Sequence, residues 1–433
     1  MATRSAAGFC LLRGLSSTAF ALGLRQQSVT KTVLYECGGR PTPFSEFVQQ
    51  FGRTYEAGSD EYAMREAAYW SRAEAGMQHN CDDEKLWKAG VNHLSDWTDT
   101  ELRVLLGHRG GARRSRSAGV VDRAVLASVW DHVAGQGVTA PSMFPREFEW
   151  SNLTSIQETW DQGKPAACGT CWAVAATSVM RAHAELKGLP RQFSASQVIA
   201  CTPNPNACGG TGGCQGATAE LAYEYVLRAG VAAGDAAFFA MGGAQTRCPG
   251  QAQVATEKAT DGIVEADGRE VHMLPGAGVG QGGLRGREVG MAGWTKLPEN
   301  KEEPIVRALV EQGPLYVAVA AGSGWFSYAE GVLTPGGCDA RNVVNHAVVL
   351  YGFGVKPHTR IGDVKYWQIK NSWGRGWGEG GSIRLQRQDD EESFCGWDNS
   401  PQEGSGCRDG PSKVWVCGTC GILYDAVVPS FVS

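Results

Sequence analysis

Between residues 41 and 106 the apolar positions recur at helical spacing. Phe44, Phe47, Val48 and Phe51 fall three and four apart, and Glu61, Arg65, Tyr69 and Asn80 follow on a longer charged stretch. The spacing predicts two helices with polar outer faces. Further on, Cys168-Gly-Thr-Cys171-Trp172 leads into a mostly Ala, Val and Met segment with no Pro or Gly until Gly188. That pattern predicts a helix buried all round, starting at or next to Cys171. Pro165 and Gly169 mark a tight loop before it. The last third reads as strands. Pro314–Val319 alternates loosely, His346–Gly352 is a buried run opened by a histidine, and Tyr366–Lys370 and Gly381–Leu385 flank a Gly-rich turn. Residues 249–293 are different: Gly276, Gly278, Gly280, Gly282, Gly283 and Gly286 crowd a segment without period, which predicts a flexible surface insertion. A phosphate-binding loop would need a strand-to-helix context and a following Lys-Ser/Thr, and neither is there.

Composition narrows the setting. With 433 residues the chain has room for two or three domains, and 42% hydrophobic residues support a sizeable core. A net charge of −5 gives no reason to expect nucleic acid or a membrane surface as partner. Fourteen cysteines exceed what a reducing compartment ordinarily carries without metal or redox use, which favours the secretory pathway, ending in a lysosome, a vacuole or the exterior. The first 35 residues hold no acid; Arg4 precedes apolar runs, and Ala19-Phe20-Ala21 supplies small residues for cleavage. A signal peptide over 1–21 is expected, with an organelle transit peptide as the alternative. No other stretch is long and apolar enough to span a bilayer. Asn152-Leu153-Thr154 is a glycosylation-type triplet. Arg113, Arg114 and Arg116 lie in a small-residue stretch without strong periodicity, so 107–142 reads as an exposed linker open to nicking.

The candidate chemistry begins at Cys171. At a helix N-terminus the unpaired N–H groups and the dipole favour negative charge, so a lowered thiol pKa and a nucleophilic thiolate are expected. The competing reading is a redox pair or, with the second CGTC at Cys417–Cys420, a zinc site. Other motifs decide between them. Gln162-Gly-Lys-Pro-Ala-Ala-Cys168-Gly-Thr-Cys171-Trp172 resembles the active-site segment of papain-like cysteine proteases. Thr170 and three extra residues after Gln162 depart from most members, and cathepsin X has a loop of this length, also with a Pro. Asn345-His346-Ala347 and Lys370-Asn371-Ser372-Trp373-Gly374 resemble the family's catalytic His and Asn segments. Glu61, Arg65, Tyr69 and Asn80, then Gly90, Asn92, Leu94 and Asp96, resemble the inhibitory propeptide of cathepsin L-like zymogens, from which Arg72 and Gly76 depart. Phe144–Trp150 resembles the opening of the mature enzymes, and Phe193–Cys201 and Gly213–Ala217 resemble two further family segments.

The resemblance implies an α+β, papain-like two-lobe fold: a helical lobe plus an antiparallel β-barrel-like lobe, preceded by a helical propeptide. It sets an inhibitory propeptide over 36–106, an activation linker over 107–142 and a peptidase domain over 143–433 with the Gly-rich insertion near 249–293. Cys171 is then the nucleophile, His346 its ion-pair partner and general acid, and Asn371 the group that orients the imidazole, with Trp373 shielding that contact. Gln162 and the Cys171 N–H form the oxyanion hole. Gly216 and Ala217 hold an extended substrate strand, with the Ala217 Cβ facing the cleft, and Asp425, five after Cys420, sets the floor of the second subsite and should admit Arg. Family pairing joins Cys168–Cys214, Cys201–Cys248 and Cys338–Cys420, while Cys208, Cys395, Cys407 and Cys417 are left in unknown order. No cofactor and no metal is expected. The partners are polypeptide substrates and the chain's own propeptide, acting on a monomer. The function implied is a cysteine endopeptidase made as a zymogen. A carboxypeptidase like cathepsin X is the alternative, disfavoured by the long propeptide and by a loop holding Lys164 but no His. A non-catalytic binding relative is disfavoured by the intact Gln162, Cys171, His346 and Asn371.

Overall fold

The computed structural model describes residues 32–107, 144–164, 167–229, 289–388 and 390–432, together with Cys248 and two short strands. The expected signal peptide, most of the linker and most of the Gly-rich insertion lie outside the described residues.

The N-terminal unit comprises β1 (Val33–Leu34), α1 (Phe44–Gln50), α2 (Asp60–Asn80), β2 (Trp87–Val91) and α3 (Asp99–Leu105). Ser59 starts α2 by accepting the Tyr62 N–H, and Thr98 starts α3 in a reciprocal capping box with Glu101. Phe44 and Phe47 of α1 pack against Tyr69 of α2. Gly76 sits where a Cβ would lie 2.3 Å from the Tyr35 ring, so the departure at this position makes room for the β1 segment. Cys37–Cys81 pins that segment to the end of α2.

The rest of the chain supplies β3 (Phe148–Glu149), α4 (Thr154–Gln157), α5 (Cys171–Leu186), α6 (Ala195–Cys201), α7 (Ala219–Ala229), β4 (Ile263–Val264), β5 (Glu270–Val271) and β6 (Met291–Lys296). After these come α8 (Glu302–Glu311), β7 (Leu315–Val319), α9 (Ser323–Ser327), β8 (Tyr328–Leu333), β9 (His346–His358), β10 (Gly362–Lys370), β11 (Ser382–Gln386), β12 (Gly396–Asp398), β13 (Val414–Val416) and β14 (Asp425–Phe431). Helices α5, α6 and α7 pack into one lobe. As its composition required, α5 is buried at every position from Cys171 to Ala184. The other lobe is a mainly antiparallel sheet in the order β2-β8-β11-β10-β9-β7-β14-β6, with β3 on β9. This is an open sheet order rather than a closed barrel. The N-terminal unit extends it, since β2 pairs with β8 and β1 with β2. The apolar clusters follow this division. Phe44, Leu102 and Leu105 share a core with sheet-lobe residues such as Trp325 and Trp373, whereas Trp172, Val179 and Leu221 centre a second core in the helical lobe.

The three disulfides implied by resemblance form as expected, and the structure adds Cys208–Cys407 and Cys395–Cys417 for the four cysteines left open. Cys37–Cys81 had no place in that expectation. Cys171 is the free cysteine among the described residues. Because Cys168, Cys417 and Cys420 are each bonded to a different partner, neither CGTC forms a redox pair or half of a zinc site.

Candidate active site

Helix α5 begins at Cys171. Thr170 precedes it without a side-chain cap, so the first N–H groups of the helix stay open toward the thiol. The other residues come from adjacent strands. His346 opens β9, opposite Val319 of β7, and Asn371 follows directly on β10, the other neighbour of β9. Pairing of β9 with β10 therefore brings residues 25 positions apart side by side, and His346 Nε2 lies 2.9 Å from Asn371 Oδ1. Trp373 stacks on the imidazole at 4.9 Å between ring centroids, and Trp325 meets it edge-on at 5.9 Å. Both indoles are fully buried, so the His346–Asn371 contact is sealed from water. The backbone N–H of Ala347, next to His346, hydrogen-bonds to Cys171, which sets the strand start against the helix start.

Gln162 reaches the same place despite its longer loop. Its amide Nε2 donates to the Leu105 carbonyl at 3.0 Å and to the Cys168 carbonyl at 2.9 Å, while Ser372 Oγ donates to its Oε1 at 2.5 Å. Asp161 bridges to Trp373 on the opposite lobe, which fixes the start of the loop. Pro165 and Ala166, within the extension, lie outside the described residues.

Leu105, Leu106 and Gly107 lie across the site. The Leu106 carbonyl is 3.8 Å from Cys171 Sγ. Gly107 has φ +60°, and a Cβ there would lie 2.3 Å from the sulfur; one on Gly216 would lie 1.6 Å from the Gly107 carbonyl. Glycines on both sides thus let two backbones approach closely over the thiol. The covering changes the chemistry expected of Cys171. Burial pushes its pKa up to about 12, against the opposing hydrogen bonds from Ala347 and the helix start. The lowered pKa expected from the helix terminus is therefore not that of the covered state.

Two residues singled out for the substrate are buried in this state. Ala217 belongs to the same apolar cluster as Cys171. Asp425, at the start of β14, is 3% exposed and lies 3.0 Å from Lys296 Nζ, with Glu220 on the other side of the same ammonium at 3.4 Å. Burial raises its pKa to about 6, and Lys296 pulls the other way. The carboxylate expected to stand free for an arginine is already paired. Sequence reasoning missed Lys296 and Ser372, since neither lies at a telling spacing from its partner.

Comparison with known proteins places this geometry. A family model described as papain family cysteine protease matches residues 144–404, and one described as the cathepsin propeptide inhibitor domain (I29) matches residues 44–102. The chain belongs to the papain family of cysteine proteases. Among the relatives of this papain-family protease, Cysteine proteinase 1 of Zea mays is 25% identical over 365 residues, covering 82% of this chain and 84% of its own. Cathepsin S of Bos taurus is 25% identical over 357 residues, covering 81% and 88%. Among solved structures, a recombinant stem bromelain precursor aligns with a TM-score of 0.56 at 24% identity, over 90% of this chain and 98% of that one. Digestive procathepsin L 3 of Tenebrio molitor larval midgut aligns with a TM-score of 0.58 at 19% identity, over 90% and 100%. The papain-family protease is thus a hydrolase carrying its inhibitor domain, and Leu105–Gly107, just past the matched residues, lie over Cys171. No described helix is long and apolar enough to cross a membrane.

Proposed function

We propose that Cys171, His346, Asn371 and Gln162 are the working groups of a cysteine endopeptidase, and that the structure is its zymogen. The observation that carries this reading is the Leu105–Leu106 backbone, whose carbonyls meet Gln162 Nε2 and Cys171 Sγ as a substrate carbonyl would. With the propeptide gone, solvent and the helix terminus favour the thiolate, which attacks the scissile carbonyl carbon. The oxygen that becomes negative is held by the Gln162 amide and the Cys171 N–H. His346 donates its proton to the leaving amine, then takes one from water for deacylation, while Asn371 Oδ1 holds the ring through Nε2–H. Trp373 keeps water from that contact. Gly216 offers backbone to an extended polypeptide, and Asp425 lies near the second subsite with Lys296 as its standing partner. The cleft is completed within one chain, which supports a monomer. Maturation cuts the linker between about 113 and 143, after removal of a signal peptide over 1–21, and the disulfides suit a lysosome, a vacuole or the exterior. The test is active-site labelling. An irreversible thiol-directed peptide epoxide should modify Cys171 of acid-activated enzyme and leave Cys171→Ala and the intact zymogen unmodified. Equal labelling of the zymogen would remove the blocking role of Leu105–Gly107.

A further inference from the structure

One disulfide stands outside the catalytic unit. Cys37–Cys81 lies wholly within the propeptide and joins residues 44 apart in sequence. Both of its cysteines are exposed, whereas no cysteine of the other disulfides among the described residues is. A disulfide is broken by attack of a thiolate on one of its sulfurs, and the rate depends on access. The exposed bond is therefore the one that a thiol in solution reaches first.

The residues it holds help to join the propeptide to the enzyme. β1 covers one edge of β2, whose other edge pairs with β8 of the sheet lobe. Just before β1, the Thr32 hydroxyl donates to the Gly376 carbonyl of the enzyme at 2.7 Å. Just after it, the Tyr35 N–H donates to the Ala89 carbonyl at 3.2 Å. Asn80 Nδ2 donates to the Tyr35 carbonyl at 2.7 Å and to the Ala89 carbonyl at 2.8 Å. Asn80 thus ties the end of α2 to both strand segments, and Cys81 follows it directly. Val33 and Leu34 are themselves exposed, so the apolar burial of this segment rests on the Tyr35 ring in the slot that Gly76 leaves open. A segment held by a few hydrogen bonds and one ring opens readily on its own. The disulfide keeps it at the end of α2 when it does, which favours reclosure.

We propose that Cys37–Cys81 is a thiol-exchange site that locks the propeptide when oxidised and loosens it when reduced. The proposal rests on the reading above that the propeptide silences the enzyme. The reactant is a small dithiol. One of its thiolates attacks the sulfur of Cys37 or Cys81, forms a mixed disulfide and expels the other cysteine as a thiolate, which takes up a proton. The second thiolate of the reactant then attacks the mixed disulfide, leaves as part of a cyclic disulfide and frees the remaining cysteine. Two electrons pass to the protein, which gains two thiols, and the dithiol is oxidised. Charge narrows the class. Glu36 beside Cys37, with Asp82, Asp83 and Glu84 after Cys81, outnumbers Arg40 and Lys85 around the bond. An anionic thiol such as glutathione is repelled there, and a neutral or cationic one is not.

The test holds zymogen at neutral pH with graded dithiothreitol or with none, then moves every arm to acid with the same final thiol. In acid the thiols are protonated and exchange nearly stops, so the arms differ in their pretreatment. Peptide mapping after alkylation should show Cys37 and Cys81 freed at a concentration that leaves the other disulfides intact. Propeptide loss in acid should then run at least about tenfold faster than without pretreatment. The double variant Cys37→Ser with Cys81→Ser should lose its propeptide at the fast rate in both arms; if it does not fold, the two arms of the parent decide. At low salt cysteamine should free the pair faster than glutathione, and added salt should narrow that gap; a gap that salt leaves unchanged overturns the choice of reactant. Reduction of Cys37–Cys81 no earlier than the others, or a rate within twofold after its reduction, overturns the lock and leaves the zymogen reading intact. No propeptide loss in any arm overturns both.

Discussion

At Cys171, two physical effects oppose each other. The start of α5 favours a thiolate, and burial under Gly107 disfavours it; in the covered state burial wins and the thiol is pushed up to about 12. A raised value for an acid means that the neutral form persists, so the zymogen should be inert to alkylation at neutral pH. We expect iodoacetamide to modify Cys171 at least about a hundredfold more slowly in the zymogen than in processed enzyme, a ratio that follows from a shift of two or more pKa units. Peptide mapping at pH 7 checks this, and equal rates would contradict it. Gln162→Ala should lower kcat by about 10²–10³, the usual loss for one oxyanion donor, with KM little changed. Cys171, His346, Asn371 and Gln162 were all legible because short motifs mark them. Lys296 was not, because only the pairing of β6 with β14 sets it beside Asp425. Its presence changes the specificity expectation. The Arg-to-Leu ratio of kcat/KM for the residue two before the scissile bond should be low in the parent and rise about tenfold in Lys296→Met, since an arginine then meets an unpaired carboxylate. An unchanged ratio would move Asp425 out of the subsite.

Among the propeptide elements, α2 and α3 are held together by ion pairs. Arg65 bonds to Glu101 at 2.7 Å, Arg72 to Asp99 and to the Ser95 carbonyl at 3.0 Å each, and Arg53 to Asp96 at 2.7 Å. Glu101 also closes the capping box of α3, so one carboxylate fixes the helix that leads into the cleft. Burial alone would raise its pKa, but the Arg65 and Thr98 donors more than offset this and hold it below the usual carboxylate value. Its stabilisation is therefore complete above about pH 4.3, the ordinary glutamate value, and is lost as pH falls through the lowered native one. Autoprocessing should accelerate as pH drops below about 4.3, and Glu101→Gln should shift that onset upward; pH-independent processing would sink the idea. Glu61, Arg65 and Asn80 could be read from helical intervals, yet Arg65's main partner lies on another helix, 36 residues on. Thr98-x-x-Glu101 was a readable start signal whose second role shows only in the packing. Cys37–Cys81 went unseen for a similar reason, as no local pattern points to its pairing. Replacing both by Ser should destabilise the propeptide by roughly 2–4 kcal/mol, given the loop it closes, and lower its melting temperature. An unaltered transition would show that the β1 segment is held by packing alone.

Across the whole molecule, one cleft is built from three different parts of the chain. The helical lobe brings Cys171 and Gly216, the sheet brings His346 and Asn371, and the propeptide residues Leu105–Gly107 lie over Cys171 and Gly216. The change from helical period to strand runs was legible in the pattern, and the two-lobe α+β fold in the family motifs. The extension of the sheet by β1 and β2 was not, because those strands are short and their partner β8 is more than two hundred residues away. The central claim is that this chain is a protease silenced by its own propeptide and driven by Cys171. The most direct measurement acidifies purified zymogen to about pH 4, in parent and Cys171→Ala forms, and follows propeptide loss and hydrolysis of a blocked Phe-Arg amide. The parent should shed the propeptide and turn over substrate, while folded Cys171→Ala keeps its propeptide and shows at most about a thousandth of the activity. Activity in Cys171→Ala within tenfold of the parent would contradict the account.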